Sequence, residues 1–287
     1  MIRKNDERTG PRSNSADEIP ADLKQMLNPM DFVAPTDFVD LPSKGLCYPQ
    51  GHPLHGQDTI EIKFMTAKEE DILSSRTLLK KGVAIDRLIS SLIKDKTIDP
   101  RSLVVGDRNA ILIKARGSAY GVWYKTKVNC PACGEPNHKA FNLEKPHVYH
   151  GDEWEDYEIK QNDRGFYDIT LPYSKIVVEC RLLNGNDELN TIKSIQKSNK
   201  KEGNDGLVVE QMRQFIVSVN SYDEKRVISY FIDNMVAPDS RYLRKAVKCI
   251  TPDVKIKGEL ECSSCGHEQE LEVPFGADFL WPDGGVQ

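Results

Sequence analysis

The 287-residue sequence has no long hydrophobic run and no excess of basic residues, and each absence limits what the protein can be. No stretch approaches the roughly 18 consecutive apolar residues that mark a membrane-spanning helix, so we expect no membrane partner. Lys and Arg number 39 against 44 Asp and Glu, which gives a formal net charge of −5. A broad nucleic-acid interface usually makes a domain basic. The expected partners are therefore proteins rather than nucleic acids.

Common signatures of enzymes are also missing. The sequence contains no Gly-rich phosphate-binding loop, no HExxH pair and no nucleophile elbow of the GxSxG type. Its six histidines are dispersed: His52 and His55 in a Gly/Pro-rich loop, His138, His147 and His150 after one pair of cysteines, and His267 after another. We therefore expect no enzymatic activity.

Two CxxCG motifs are the strongest signal in the sequence. They are Cys130-Pro131-Ala132-Cys133-Gly134 and Cys262-Ser263-Ser264-Cys265-Gly266. In such a knuckle two thiolates on one tight turn face a metal ion, and the Gly can adopt a positive φ. Four cysteine ligands suit Zn²⁺ and leave no open position for a substrate, so we predict a structural zinc site formed by Cys130, Cys133, Cys262 and Cys265.

The other three cysteines, Cys47, Cys180 and Cys249, are predicted to be ordinary buried thiols. The chain begins with polar residues and no apolar signal segment. We therefore expect synthesis in a reducing cytosol, where disulfides are disfavoured.

The region before the first knuckle is predicted to contain two strands and three helices. Residues 60–64 alternate as a strand, and the capping box Thr66-x-x-Glu69 starts a helix that runs to Lys81, before Gly82. A second helix has one buried stripe, formed by Ile85, Leu88, Ile89, Leu92 and Ile93.

The third helix of this region is expected to start at Asp107, with its carboxylate as the cap, and to end at Gly117. Residues 120–128 then alternate as a strand that leads into Cys130.

128 residues separate Cys133 from Cys262, so a substantial structure must be inserted between the two halves of the site. Its pattern predicts a hairpin from 166–171 and 175–180, followed by helices. The first helix is capped by Asn186-Asp187 and leads into the lysine-containing loop 197–203, and further helices follow near 207–219, 223–235 and from Pro238. The lysine loop is the best candidate for a polyanion contact, although lysines at a helix C-terminus often complement the helix dipole.

Both ends of the chain carry a few apolar and aromatic residues within polar segments that contain too few apolar residues to form a hydrophobic core. The prolines of residues 1–40 exclude a long helix there. This segment is either disordered or an arm that becomes ordered on a neighbouring subunit, with Phe32 and Phe38 among its anchors. Near the other end, Phe279-Leu280-Trp281 must dock on the domain or on a partner.

These patterns predict an α+β fold with a split Cys₄ zinc ribbon and a mostly helical insertion. The expected organisation is an extended or disordered arm at 1–40, a strand plus helical region at 41–129, the first half of the ribbon at 130–150, a hairpin and helical insertion at 151–253, and the second half of the ribbon with an apolar C-terminal tail at 254–287.

An ordered set of short motifs resembles the baseplate hub family of T-even-type contractile-tailed bacteriophages. The set comprises Leu41-Pro42-Ser43-Lys44-Gly45, Met65 to Leu73, Val105-Gly106-Asp107-Arg108-Asn109, Tyr120-Gly121, the first CxxCG, Asp239 to Arg244, and Phe279-Leu280-Trp281-Pro282. The resemblance spans roughly residues 40–283. Metal binding is inferred from the four cysteines and not from this resemblance.

The resemblance implies a non-enzymatic tail protein, either a baseplate hub subunit or a factor that assembles the hub. Other baseplate and hub proteins would be its partners, with the tape measure protein as a further candidate. It would act in the host cytoplasm during tail assembly, and the tail baseplate of the virion is a further location. The alternative function is a zinc-ribbon protein that binds nucleic acid, for which the acidic net charge is the weakest point.

Overall fold

A computed structural model of the chain describes residues 34–190, 207–273 and 277–280. The strands are β1 (Thr36–Asp40), β2 (Thr59–Lys63), β3 (Trp123–Asn129), β4 (Pro136–Asn142), β5 (His147–Tyr149), β6 (Ile159–Gln161), β7 (Tyr167–Thr170), β8 (Val177–Cys180), β9 (Ile216–Val219), β10 (Asp253–Lys255), β11 (Lys257–Glu261) and β12 (Glu268–Glu272). The helices are α1 (Ala67–Ser74), α2 (Arg76–Lys80), α3 (Ala84–Leu92), α4 (Val105–Tyr120), α5 (Leu207–Phe215), α6 (Lys225–Asn234), α7 (Ala237–Ile250) and α8 (Ala277–Leu280), and 185–190 is also helical.

The strands pair antiparallel in small sheets. β1 pairs with β2, β3 with β4, β5 with β10 and β11 with β12, while β6, β7, β8 and β9 form a four-stranded sheet in that order. Helices and antiparallel strands together are consistent with the predicted α+β class. From Pro35 onward these elements belong to one compact unit. No described helix is both long and apolar enough to cross a bilayer.

The strand and the capping box near residue 60 are confirmed. β2 covers 59–63, and the Glu69 carboxylate accepts the Thr66 N–H at 2.9 Å, which closes the capping box at the start of α1. The predicted single helix to Lys81 is instead broken at Ser75, which is extended, ends α1 and caps α2. Gly82 follows α2 with a φ of +69°, as expected.

Residues 36–40 were expected to be part of the arm, but they form β1 opposite β2. Val39 points into the core, whereas Phe38 is exposed. The predicted stripe of α3 is also in the core: Leu88, Ile89 and Leu92 are fully buried. The alternating pattern at 36–40 is too short to predict a strand by itself, and it is the pairing with β2 that makes these residues a strand. The rest of the arm, including Phe32, lies outside the described residues.

The prediction that Asp107 caps its helix is wrong. α4 begins earlier, after Val104, and Asp107 is fully buried in its first turn. Its carboxylate accepts the Ser43 N–H at 3.0 Å, the Ser43 hydroxyl at 2.6 Å and the Tyr48 hydroxyl at 2.7 Å. Burial raises the pKa of Asp107, although these hydrogen bonds act against the rise. The carboxylate thus ties the turn at 41–45 to α4.

The two glycines of α4 have different surroundings. Gly117 was expected to end the helix, but α4 continues to Tyr120 and ends at Gly121, which has a φ of +87°. Gly106 lies where the backbone of β10 approaches: a Cβ there would be 2.2 Å from the carbonyl oxygen of Pro252. A residue without a Cβ is therefore required at Gly106.

The predicted hairpin at 166–180 is confirmed as β7 and β8. The helix predicted at 207–219 is wrong in its second half, because α5 ends at Phe215 and residues 216–219 form β9 beside β8. The prediction of a hairpin and a mostly helical insertion therefore missed the two outer strands, β6 and β9, which extend the hairpin to a four-stranded sheet. The helices near 223–235 and from Pro238 are confirmed as α6 and α7.

Asn184, and not Asn186-Asp187, caps the helical segment at 185–190. Its side-chain oxygen accepts the Asn186 N–H at 3.0 Å, and its own N–H is accepted by the Asp187 carboxylate at 2.9 Å. The remainder of that predicted helix and the lysine loop 197–203 lie outside the described residues.

The C-terminal apolar segment packs on the body of the same chain. Phe279 and Leu280 are buried in the core, the Phe279 ring meets the Tyr124 ring edge-on at 5.1 Å, and Arg116 Nε donates to the Phe279 carbonyl at 3.0 Å. Of the two alternatives for this segment, docking on the domain therefore holds for Phe279 and Leu280. Trp281 lies outside the described residues.

Candidate metal site

The first cysteine pair lies on the turn of the β3–β4 hairpin. The strands hold a continuous antiparallel register from Trp123 opposite Asn142 to Asn129 opposite Pro136, so the turn begins at Cys130. Within it, the Gly134 N–H donates to the Cys130 carbonyl at 2.8 Å, and the Cys130 N–H donates to the Glu135 carbonyl at 2.9 Å. The strand predicted at 120–128 is confirmed from Trp123 onward, whereas Tyr120 is the last residue of α4.

The second cysteine pair is held in the same way between β11 and β12. The Gly266 N–H donates to the Cys262 carbonyl at 2.9 Å, and the Cys262 N–H donates to the His267 carbonyl at 3.0 Å. Both glycines have the positive φ expected from the motif, +76° for Gly134 and +68° for Gly266. Two turns far apart in sequence therefore have one shared geometry.

The fold brings the four sulfur atoms together. All four lie within 4.8 Å of one another, with 3.7 Å between Cys130 and Cys265 and 3.6 Å between Cys133 and Cys262. Four ligands at about 2.3 Å from a central Zn²⁺ would be separated by roughly 3.8 Å in a regular tetrahedron. The donor set and its spacing fit a tetrahedral thiophilic cation. In the described residues, no histidine or carboxylate joins this group.

Asn137 contacts the cysteine cluster, a role that the sequence did not predict. Its side-chain N–H donates to Cys262 Sγ at 3.5 Å, and its side-chain oxygen accepts the Ser263 N–H at 3.2 Å. It is buried on β4, and its side-chain N–H also donates to the Glu135 carbonyl at 2.9 Å, while Cys262 and Ser263 are in the second knuckle. Its amide therefore links the two halves and adds a donor to a sulfur, which is the usual role of groups around metal ligands.

The surroundings move the pKa values of Cys262 and Cys133 in opposite directions. Backbone N–H groups of Cys265 and Ser264 lower the pKa of Cys262 to about 6. At Cys133 the Glu135 N–H acts to lower the pKa, but the neighbouring sulfur atoms and burial outweigh it and raise the pKa to about 12. Four thiolates this close repel one another, so a cation is needed to hold all four ionised.

The two hairpins also pack through their inner faces. Gly258 on β11 lies under the ring of Phe141 on β4, and a Cβ at position 258 would be 2.6 Å from that ring. Leu260 is fully buried on the same face as Gly258. Side-chain packing therefore holds the hairpins together in addition to the cysteine cluster.

Within the described residues no histidine belongs to a group that could hold a metal ion. His52 approaches Ser102, with 2.8 Å between Nε2 and Oγ, but His52 Nδ1 accepts the Leu54 N–H. Nε2 therefore carries the hydrogen and donates it to Ser102, whose hydroxyl donates to the Asp99 carbonyl. This arrangement leaves no acceptor on the ring for the serine proton, which a general base would need.

The comparisons with known proteins agree with the resemblance seen in the motifs. A family model described as T4 bacteriophage base plate protein matches residues 37–281. The search of curated proteins and the search of solved structures gave no match. The matched range includes both cysteine pairs and the turn that Asp107 binds. Because the match covers most of the 287 residues, the chain belongs to the T4 bacteriophage base plate protein family.

Proposed function

We propose that this protein is a non-enzymatic component of the phage baseplate hub, either as a hub subunit or as a factor that assembles the hub. The family match over residues 37–281 carries the proposal. It acts through contacts with other baseplate and hub proteins, and the tape measure protein is a further candidate partner. Its place of action is the host cytoplasm during tail assembly, and the tail baseplate is a further location.

Deletion of the coding sequence from the phage tests this role. We expect infected cells to accumulate defective or hubless baseplates, and plasmid-borne expression of the chain to restore tails. Infectious tails formed at the normal rate without the chain would refute the role. Mass spectrometry of purified phage particles distinguishes a hub subunit from an assembly factor, because a subunit is present in the particles and an assembly factor is absent from them.

The second part of the proposal is a structural zinc ion held by Cys130, Cys133, Cys262 and Cys265. The four sulfur atoms within 4.8 Å support it, as does the preference of Zn²⁺ for closed thiolate sites. The ion would supply a positive charge that keeps all four thiolates ionised and would join the β3–β4 and β11–β12 hairpins. Protein purified without chelator should contain close to one equivalent of zinc. Less than about half an equivalent would refute the assignment.

Nucleic-acid binding through the zinc ribbon is a second candidate function. One observation favours it: Trp123 is 57% exposed on β3, beside the exposed Lys125 and Lys127 on the same side of the strand. Aromatic stacking combined with lysines is a common way to bind single strands. Titration with a labelled single-stranded oligonucleotide at increasing salt tests this candidate, and no binding even at low salt would exclude it.

A further inference from the structure

The outer face of the β3–β4 hairpin is basic and has no carboxylate. We define the basic face as Trp123, Lys125 and Lys127 on β3 with His138 and Ala140 on β4, all exposed. Lys125 is opposite Ala140 and Lys127 is opposite His138, so no cross-strand partner neutralises either lysine. Neither lysine forms an ion pair with any residue in the described ranges.

The outer face of the β11–β12 hairpin is acidic. We define the acidic face as the exposed residues Lys257, Glu259, Glu261, Glu268, Glu270 and Glu272. Glu259 is directly opposite Glu270, and Glu261 is directly opposite Glu268. Such like-charged pairs destabilise a hairpin by themselves. Lysines pair with Glu270 at 3.1 Å and with Glu272 at 2.6 Å, but within the described residues the other three glutamates have no ion pair.

These two faces point in opposite directions. The hairpins contact each other through their inner faces, where Gly258 lies under Phe141. Successive side chains of a strand alternate between its two sides. Trp123, Lys125 and Lys127 therefore lie on the side of β3 away from β11, and Glu259 and Glu261 on the side of β11 away from β4. The basic face of one chain cannot reach the acidic face of the same chain.

The geometry points to a docking surface: the basic face binds the acidic face of a second copy of this chain. A cation from the second copy would relieve the repulsion between Glu261 and Glu268, neither of which has an ion pair within the described residues, and would pair with Glu259. The contact is head-to-tail, since each copy offers one face of each sign. Repeated head-to-tail contacts close into a ring or continue as an open assembly. The inference does not depend on the proposed function, because only the two faces are used.

The expected contact is weak and depends on salt. A seven-residue strand is roughly 23 Å long, so a two-stranded face buries a few hundred Å², less than the ~800 Å² per partner of a standard stable interface. Exposed charge pairs also contribute little individually. The exposed Trp123 adds the type of side chain that is enriched at interface centres. Association should therefore appear at high protein concentration and low ionic strength.

Sedimentation equilibrium of the full chain tests the proposal. At about 0.01 M salt the Debye length is about 30 Å, and at about 1 M it is about 3 Å. We expect the weight-average mass to rise with protein concentration in the first condition and to stay at the monomer value in the second. A mass that stays monomeric at both salt concentrations would overturn the proposal.

Paired charge reversals make the test specific. Variant A carries Lys125→Glu and Lys127→Glu, and variant B carries Glu259→Lys and Glu261→Lys. Each should be monomeric alone, because A then has two acidic faces and no basic one, while the altered face of B has as many lysines as glutamates and no longer attracts the basic face. A mixture of A and B should associate again, since acidic faces of A meet basic faces of B. Failure of the mixture to associate would contradict docking between these faces.

A matched control is Glu155→Lys with Asp156→Lys, which changes the net charge as much as variant B at exposed positions outside the ribbon. It should associate like the wild type, and loss of association in this control would show that only net charge matters. Folding of B is not expected to fail, because each new lysine faces a glutamate. An oligonucleotide titration in parallel would show whether the basic face instead binds nucleic acid: tight binding lost in A, with a monomeric wild type, refutes the proposal.

Discussion

Substitution of one of the four clustered cysteines should destabilise the whole unit and not only the two hairpins that carry them. The perturbation is Cys262→Ser, which removes a buried candidate ligand whose sulfur is 3.6 Å from that of Cys133. With the cluster intact, a metal would cross-link two points that are separated by 128 residues of chain. That cross-link lowers the conformational entropy of the unfolded chain, whatever contacts the folded state has.

The magnitude follows from the length of the closed loop. In the chain-entropy description, a cross-link closing roughly 100 residues contributes about 4.7 kcal/mol. The packing of Phe141 over Gly258 remains in the variant, so the loss of folding free energy should not greatly exceed the contribution of the cross-link. A change of 1 kcal/mol moves the melting temperature of a unit of this size by about 2–4 °C. The expected decrease is therefore roughly 10 °C or more.

Differential scanning calorimetry measures the melting temperature, and metal analysis of the same samples measures the zinc content. Cys262→Ser should contain less zinc than the wild type and melt at a lower temperature, and a chelator should bring the wild type toward the variant. Cys47→Ser is the control, because Cys47 is remote from the cluster and its sulfur contacts the Tyr167 hydroxyl at 3.7 Å, a contact that serine can replace. Equal melting temperatures of the wild type and Cys262→Ser would refute the reasoning.

Three further predictions concern the body of the protein. Burial alone would raise the pKa of Glu69, but hydrogen bonds from Lys63, Ser91 and Thr66 lower it from 4.5 to about 2. Glu69→Gln should therefore cost up to about 3 kcal/mol in urea unfolding at pH 7, and the difference should shrink as pH falls from 4.5 towards 2. Gly106→Ala should destabilise by about 1–3 kcal/mol, since its Cβ would be 2.2 Å from the Pro252 carbonyl, whereas Gly117→Ala has space and should be neutral or stabilising. Phe279→Ala should cost about 3–5 kcal/mol, because it empties a buried site against Tyr124, as thermal melting would show.

Each of these predictions has a contrary outcome. A pH-independent difference for Glu69→Gln would mean that its charge does not contribute. Equal effects of Ala at positions 106 and 117 would mean that the close approach to β10 is relaxed in solution. An unchanged melting temperature for Phe279→Ala would mean that this side chain serves a partner and not the core.

Local patterns predicted much of the fold because the interactions they encode are short. The capping box joins residues three apart, the stripe of α3 repeats every three or four residues, and the CxxCG turns depend on four consecutive positions and a glycine. The helix–strand boundary at Phe215 was missed for a related reason. Ile216 and Val219 fit the apolar face of a continued helix, and only pairing with β8 makes residues 216–219 a strand.

The candidate site divides in the same way. The sequence by itself determined which four cysteines are the candidate ligands, since the two CxxCG motifs supply matching turns. It did not contain the arrangement that brings Cys130 to Cys265 and Cys133 to Cys262. Asn137 has no local signal for this role, because Cys262 and Ser263, which it joins to the first hairpin, are in the other half of the site. The same holds for Asp107, which has the local pattern of a helix cap and instead binds Ser43 and Tyr48. The tertiary structure decided these roles, because a side-chain hydrogen bond depends on which distant residues the fold places beside the side chain. Local sequence patterns contain no information about those distant residues.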